Sequence, residues 1–136
     1  MSATQKSAWF NLAVVALTLV TVLSLLPALG KGAIGGFGFL GLLGFGMLFF
    51  RKKRGRVVTD ERDHLIQRRA WVLAYASFWV AFVLAAVVLS PAVYGDDGGV
   101  PVWVVQSSVF CGVMLVYAVG SVATLVQYAG GARDAG

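Results

Sequence analysis

Cysteine, histidine and charge are all scarce in this chain. Its single cysteine, Cys111, excludes an internal disulfide. Its single histidine, His64, leaves no paired-histidine, HExxH or CxxC zinc motif. Charged residues make up 12% of the sequence, against about a quarter in a soluble domain. Four long stretches carry no acidic or basic side chain at all. Such groups are costly at membrane depth and are retained there for function. Their absence from every stretch excludes intramembrane proton relays and the ionic chemistry of most membrane enzymes. No Ser-His-Asp set can be assembled, because His64 lies far from any nucleophile in the apolar runs. The expectation is a non-enzyme with no cofactor and no bound metal.

Apolar residues fill the gap. They make up 59% of 136 residues, and the mean hydropathy is +0.83. A globule this small buries only part of its surface, so lipid is the solvent that suits it. The apolar runs cover 8–26, 32–50, 70–89 and 100–128. Three are near the roughly 20 residues that a helical span needs, and the fourth is longer. None alternates as a membrane barrel strand would, and a helix satisfies its own backbone in lipid. The expected fold is all-α: a polytopic four-transmembrane-helix bundle forming one domain over 1–136.

The basic residues give an orientation. Arg51, Lys52, Lys53, Arg54, Arg56, Arg62, Arg68 and Arg69 all fall in the segment 51–69. Cytoplasmic loops collect Lys and Arg, so this segment is placed inside the cell. Both termini then lie inside as well, with Lys6 and Arg133. The outer hairpins hold Lys31 in one and Asp96 and Asp97 in the other. The expected location is the inner (plasma) membrane, multi-pass. The net charge of +5 is read as contact with anionic headgroups and not with nucleic acid. Trp9, Trp71 and Tyr128 fall at the inner boundary, and Tyr94 and Trp103 at the outer, where such rings favour the headgroup level. Trp79 and Tyr117 fall mid-span, and their polar atoms are expected to seek a neighbouring helix. The first run exceeds a signal-peptide core of roughly 7–15 residues. It is therefore read as a retained span, although Ala28 and Gly30 would suit a cleavage site.

Small residues suggest how the helices pack. The second run holds Gly32, Gly35, Gly36, Gly38, Gly41, Gly44 and Gly46. In lipid such residues let two backbones approach closely. Gly32 and Gly36 have GxxxG spacing. Gly35, Gly38, Gly41 and Gly44 recur every third residue, which drifts around an α-helix of 3.6 residues per turn. The third run carries a seam of Ala70, Ala74, Ser77, Ala81 and Ala85 on one helical face. The fourth pairs Ser108 with Gly112 and Gly120 with Thr124. These faces point to a compact bundle, a homo-oligomer or a larger membrane complex.

The segment 51–69 begins as a basic anchor broken by Gly55. Thr59 or Asp60 can cap a helix whose first turn carries Asp60, Glu61 and Asp63, where acids oppose the helix dipole. The third helix is expected to start near Asp60 and run on into the membrane. Asp60 and His64 share a face at i,i+4, but two carboxylates and a lone histidine are read as cap and ion-pair residues. The run Asp60-Glu61-Arg62, then Ile66 and Ala70, follows a D-E-R-x-x-x-I-x-x-x-A pattern. It resembles small uncharacterised prokaryotic membrane proteins of four helices, grouped as domains of unknown function. That resemblance implies a membrane fold and no particular activity. It marks Asp60, Glu61 and Arg62 as the family-defining positions.

The leading expectation is an accessory, regulatory or assembly subunit. It would act through helix–helix contacts, with Arg51, Lys52, Lys53, Arg54, Arg56, Asp60, Glu61 and Arg62 docking lipid or a partner. A small oligomeric channel or transporter is the alternative, and a holin-like or immunity protein is a third. Small multidrug exporters need a glutamate in the first span, and fluoride channels carry asparagine and phenylalanine motifs. Neither feature occurs here.

Overall fold

The computed structural model describes residues 2–49, 61–89, 93–94 and 99–133. Among them every regular element is helical. Three helical stretches are long and apolar enough to cross a membrane: Ala3–Gly46, Asp63–Val87 and Val102–Gly130.

The first stretch folds back on itself. Helix α1 spans Ala3–Leu29. Its start is a capping box, in which the Ser2 Oγ accepts from the Gln5 N–H at 3.2 Å and the Gln5 Oε1 accepts from the Ser2 N–H at 2.8 Å. Pro27 does not end it, although the first apolar run is expected to stop at residue 26 before this proline. The helix continues to Leu29, and the chain turns at Gly30, whose φ of 52° suits a residue without Cβ. A helix in lipid tolerates proline when local adjustments satisfy the freed carbonyl, and here the Gly30 N–H bonds the Leu26 carbonyl.

The returning arm starts as a 3₁₀ helix, η1 (Gly30–Gly41), and continues as α2 (Leu42–Phe49). It packs antiparallel on α1. A Cβ on Gly36 would lie 2.9 Å from Val22 Cγ2, and one on Gly46 would lie 3.5 Å from Phe10. A 3₁₀ helix has 3.0 residues per turn, so residues three apart eclipse. The period-three glycines therefore do not drift as expected for an α-helix; they stack in a straight line. Three ridges result. Ala33 and Gly36 are buried on one ridge, Ile34, Phe37 and Leu40 supply bulk to the core on the next, and Gly32, Gly35, Gly38 and Gly41 form an exposed third.

Helix α3 spans Glu61–Val83 and ends in a π-helical turn, Leu84–Leu89. Helix α4 spans Val102–Arg133. It packs against both α3 and α1, and touches η1. The order across the bundle is thus η1–α2, α1, α4, α3. Val14, Val15, Phe37, Leu40, Leu43 and Met114 form the core, and the Phe37 and Phe110 rings stack at 5.0 Å. Two buried hydroxyls are turned back onto their own helices: Thr18 donates to the Val14 carbonyl and Thr124 to the Gly120 carbonyl.

Candidate functional site

One end of the bundle gathers the polar chemistry. The start of α1, the start of α3 and the end of α4 meet there. The Tyr128 hydroxyl donates to Asp63 Oδ1 across 65 residues of chain, and the side chains of Ser2 and Thr4 reach the same phenol. This pair joins α3 to α4 at their ends. Asp63 also sits in the first turn of α3, where the helix dipole favours its charge.

One helical turn inward lies a cavity of about 80 Å³. Each helix contributes polar side chains: Ser7 and Asn11 from α1, Gln67 from α3, and Ser121 and Thr124 from α4. Gln67 follows Asp63 by four residues, and Thr124 precedes Tyr128 by four, so the Asp63–Tyr128 pair stacks directly over the cavity. Trp71 and Tyr117 close its inner side, edge to face at 5.7 Å.

Beyond those two rings the lining changes character. A groove of about 500 Å³ runs between α3 and α4, lined by Tyr75, Phe78, Trp79 and Phe82 on one side and the Gly112 region on the other. Gly112 makes it possible for Phe78 to lie against α4, since a Cβ there would fall 2.7 Å from the ring. Tyr117 turns to the neighbouring helix as expected. Trp79 does not: it lies on the outer face, and its ring contacts are Phe78 and Phe82 of its own helix. Among the described residues helix α3 has α4 as its main neighbour, and Val72, Tyr75, Trp79 and Val80 are exposed on its other side.

The residues singled out in the sequence fall into three groups. Arg51, Lys52, Lys53, Arg54, Arg56 and Asp60 lie outside the described residues. Glu61 opens α3 on an exposed face, and Arg62 follows it in the same helix. Of the packing residues, Gly36 meets Val22, and Ala74, with no exposure, lies 3.5 Å from the Cβ position of Gly120. Ser77 is half-buried and Ala81 exposed, so the α3 seam is closed at the polar end and open toward the π-turn. Gly35, Gly38, Gly41 and Gly44 face away from the other described helices, while Gly32, also exposed, has Leu29 Cβ 3.4 Å from its Cβ position. No group of three or more His, Cys, Asp or Glu capable of holding a metal exists among the described residues.

The converging polar set escaped the sequence reading because its members are scattered singly through apolar runs. One signal was present: Ser7 with Asn11 and Gln67 with Trp71 each recur at helical spacing near a span end.

Comparison with known proteins places this all-helical, apolar chain. Residues 4–123 match the family described as "Predicted membrane protein (DUF2178)". The chain belongs to that family. The match reaches from the first turn of α1 to Ala123 in α4, and so includes the aromatic groove and the cavity lining up to Ser121, while Thr124 and Tyr128 lie just beyond it. No curated protein and no solved structure matches. This DUF2178 member is a membrane protein with three long apolar helical stretches.

Proposed function

We propose that this DUF2178 protein is a non-enzymatic, multi-pass subunit of a prokaryotic plasma membrane, acting through lateral helix–helix contacts in an accessory or assembly role. The observation that carries this reading is the exposed glycine line on η1. A Cβ at Gly35, Gly38 or Gly41 would meet nothing within 4 Å. Such a line offers bare backbone to the membrane plane, where small residues favour close approach of another helix. The partner is a second copy of the chain or a larger complex.

In this reading the polypeptide crosses four times, because the Gly30 turn divides the first stretch into two arms. The α1 arm is about 40 Å long at 1.5 Å per residue. The η1–α2 arm reaches about 36 Å, since a 3₁₀ helix rises about 2.0 Å per residue. Both exceed a hydrocarbon core of about 30 Å. The polar end, with both termini and the basic segment 51–69, faces the cytoplasm and its anionic headgroups.

Lateral association is tested by crosslinking in native membranes. The parent chain should give a discrete crosslinked species, and Gly35→Leu, Gly38→Leu and Gly41→Leu should each deplete it while the monomer stays helical. Undiminished crosslinking in all three variants would overturn the proposal. Reporter fusions near Asp96 and Asp97 test the orientation, with activity expected only on the external side.

A further inference from the structure

The polar cavity under the Asp63–Tyr128 pair holds hydroxyls and amides that the protein itself does not satisfy. Ser121 is the clearest case. It is 4% exposed, yet its hydroxyl has no hydrogen bond among the described residues, unlike Thr18 and Thr124. Its oxygen is not sealed off either, since no buried side-chain oxygen or nitrogen lacks a partner among the described residues. The hydroxyl therefore opens into the cavity that Ser121 lines. Ser7, Asn11 and Gln67 reach the same space and likewise have no side-chain hydrogen bond among the described residues. Gln67 is exposed and Ser7 and Asn11 are half-buried, so solvent at the polar end reaches them, whereas the buried Ser121 hydroxyl is strongly disfavoured unless an occupant of the cavity supplies its bond.

The lining decides what kind of occupant. It has donors and acceptors: hydroxyls from Ser7, Ser121 and Thr124, and carboxamides from Asn11 and Gln67. No charged side chain lines it, and Asp63 above it is engaged by Tyr128. A bare ion would enter this space without a counter-charge, at a large desolvation cost. About 80 Å³ is available, and a water needs roughly 10–15 Å³ of such space. We infer that the cavity between α1, α3 and α4 is a binding site for a small neutral molecule that both donates and accepts hydrogen bonds. That molecule is water itself or an amide- or polyol-type solute, and it enters past the Asp63–Tyr128 pair. The inference rests on the membrane reading of the chain, because only in lipid is the bundle's polar end the sole hydrated route inward.

The test uses the full chain in lipid nanodiscs with Cys111→Ser as background. Ser121→Cys is compared with Val122→Cys, whose parent side chain is exposed on the lipid side. The probe is methyl methanethiosulfonate, which is small and neutral. Ser121→Cys should react at least tenfold faster than Val122→Cys, and adding Tyr128→Phe should raise its rate further. Equal, slow reaction at both positions would overturn the site while leaving the membrane reading intact. Fast reaction at both would overturn the membrane reading instead. Protection of Ser121→Cys by urea or acetamide assigns the site to a solute; labelling indifferent to them assigns it to water. Protection by potassium chloride alone would overturn the neutral assignment. The unsubstituted chain supplies an independent readout. Water protons should show nuclear Overhauser contacts with the Asn11 carboxamide and the Thr124 methyl, and their absence would overturn the hydrated cavity.

Discussion

At the scale of single residues, neighbouring glycines on one arm have opposite surroundings. A Cβ at Gly36 would press on Val22, at 2.9 Å from Cγ2 and 3.4 Å from the backbone Cα, whereas one at Gly35 meets nothing within 4 Å. Gly36→Leu should therefore cost about 1–3 kcal/mol, the usual penalty of overpacking. Gly35→Leu should stay within about 0.5 kcal/mol of the parent for the monomer. Reversible unfolding in mixed detergent micelles measures both, and equal losses would refute the assignment of faces. The Asp63–Tyr128 pair carries a similar expectation. Tyr128→Phe deletes a hydrogen bond to a carboxylate, worth about 1.5–3 kcal/mol. A double-mutant cycle with Asp63→Asn should show coupling above about 0.5 kcal/mol; additive effects would mean that the two side chains do not interact.

At the scale of elements, the η1 segment stands out. Runs of 3₁₀ helix beyond three or four residues are uncommon, and this one has 12 residues. Glycine on one entire ridge removes the eclipsed side chains that make long 3₁₀ runs unfavourable. It also stretches the arm, so that 20 residues from Gly30 to Phe49 match a longer α1. Replacing Gly32, Gly35, Gly38 and Gly41 together with alanine should convert the segment to α-helix and shorten it by about 6 Å, from the difference in rise. Spin labels at Lys31 and Leu42 would read the change as a shorter interlabel distance. An unchanged distance would show that the bundle, and not the glycine ridge, holds the 3₁₀ form. On α3 the sequence marked one continuous small-residue seam. Only its polar half is covered by α4, because Phe78 wedges against Gly112 and the helix then winds into the π-turn.

At the scale of the whole molecule, exposure of apolar side chains is the dominant fact. Trp9, Leu23, Val80, Val109 and Val126 are each more than half exposed, which water would penalise and lipid does not. Cys111 is a built-in reporter of that surroundings, since it is exposed and lies inside the long apolar stretch of α4. In intact membranes it should resist a water-soluble maleimide, because the reagent does not partition into hydrocarbon; after denaturation in dodecyl sulfate it should label fully. Solution-like labelling in intact membranes would contradict the lipid-embedded reading.

The apolar medium and the helical class were legible from the sequence alone; the 3₁₀ form of η1 and the π-turn after α3 were not. Medium and class follow from transfer free energies and backbone hydrogen bonding summed along each run, and neither needs a neighbour. The start of α3 was legible for a similarly local reason, the acids Glu61 and Asp63 of its first turn. Which face each helix buries was decided only in the tertiary structure. Gly36 inward and Gly35 outward, Trp79 outward and Tyr117 inward, and Ser121 opening on Asn11 and Gln67 all depend on contacts between residues far apart in the chain. Side chains of the same type are indistinguishable until the helices choose their partners.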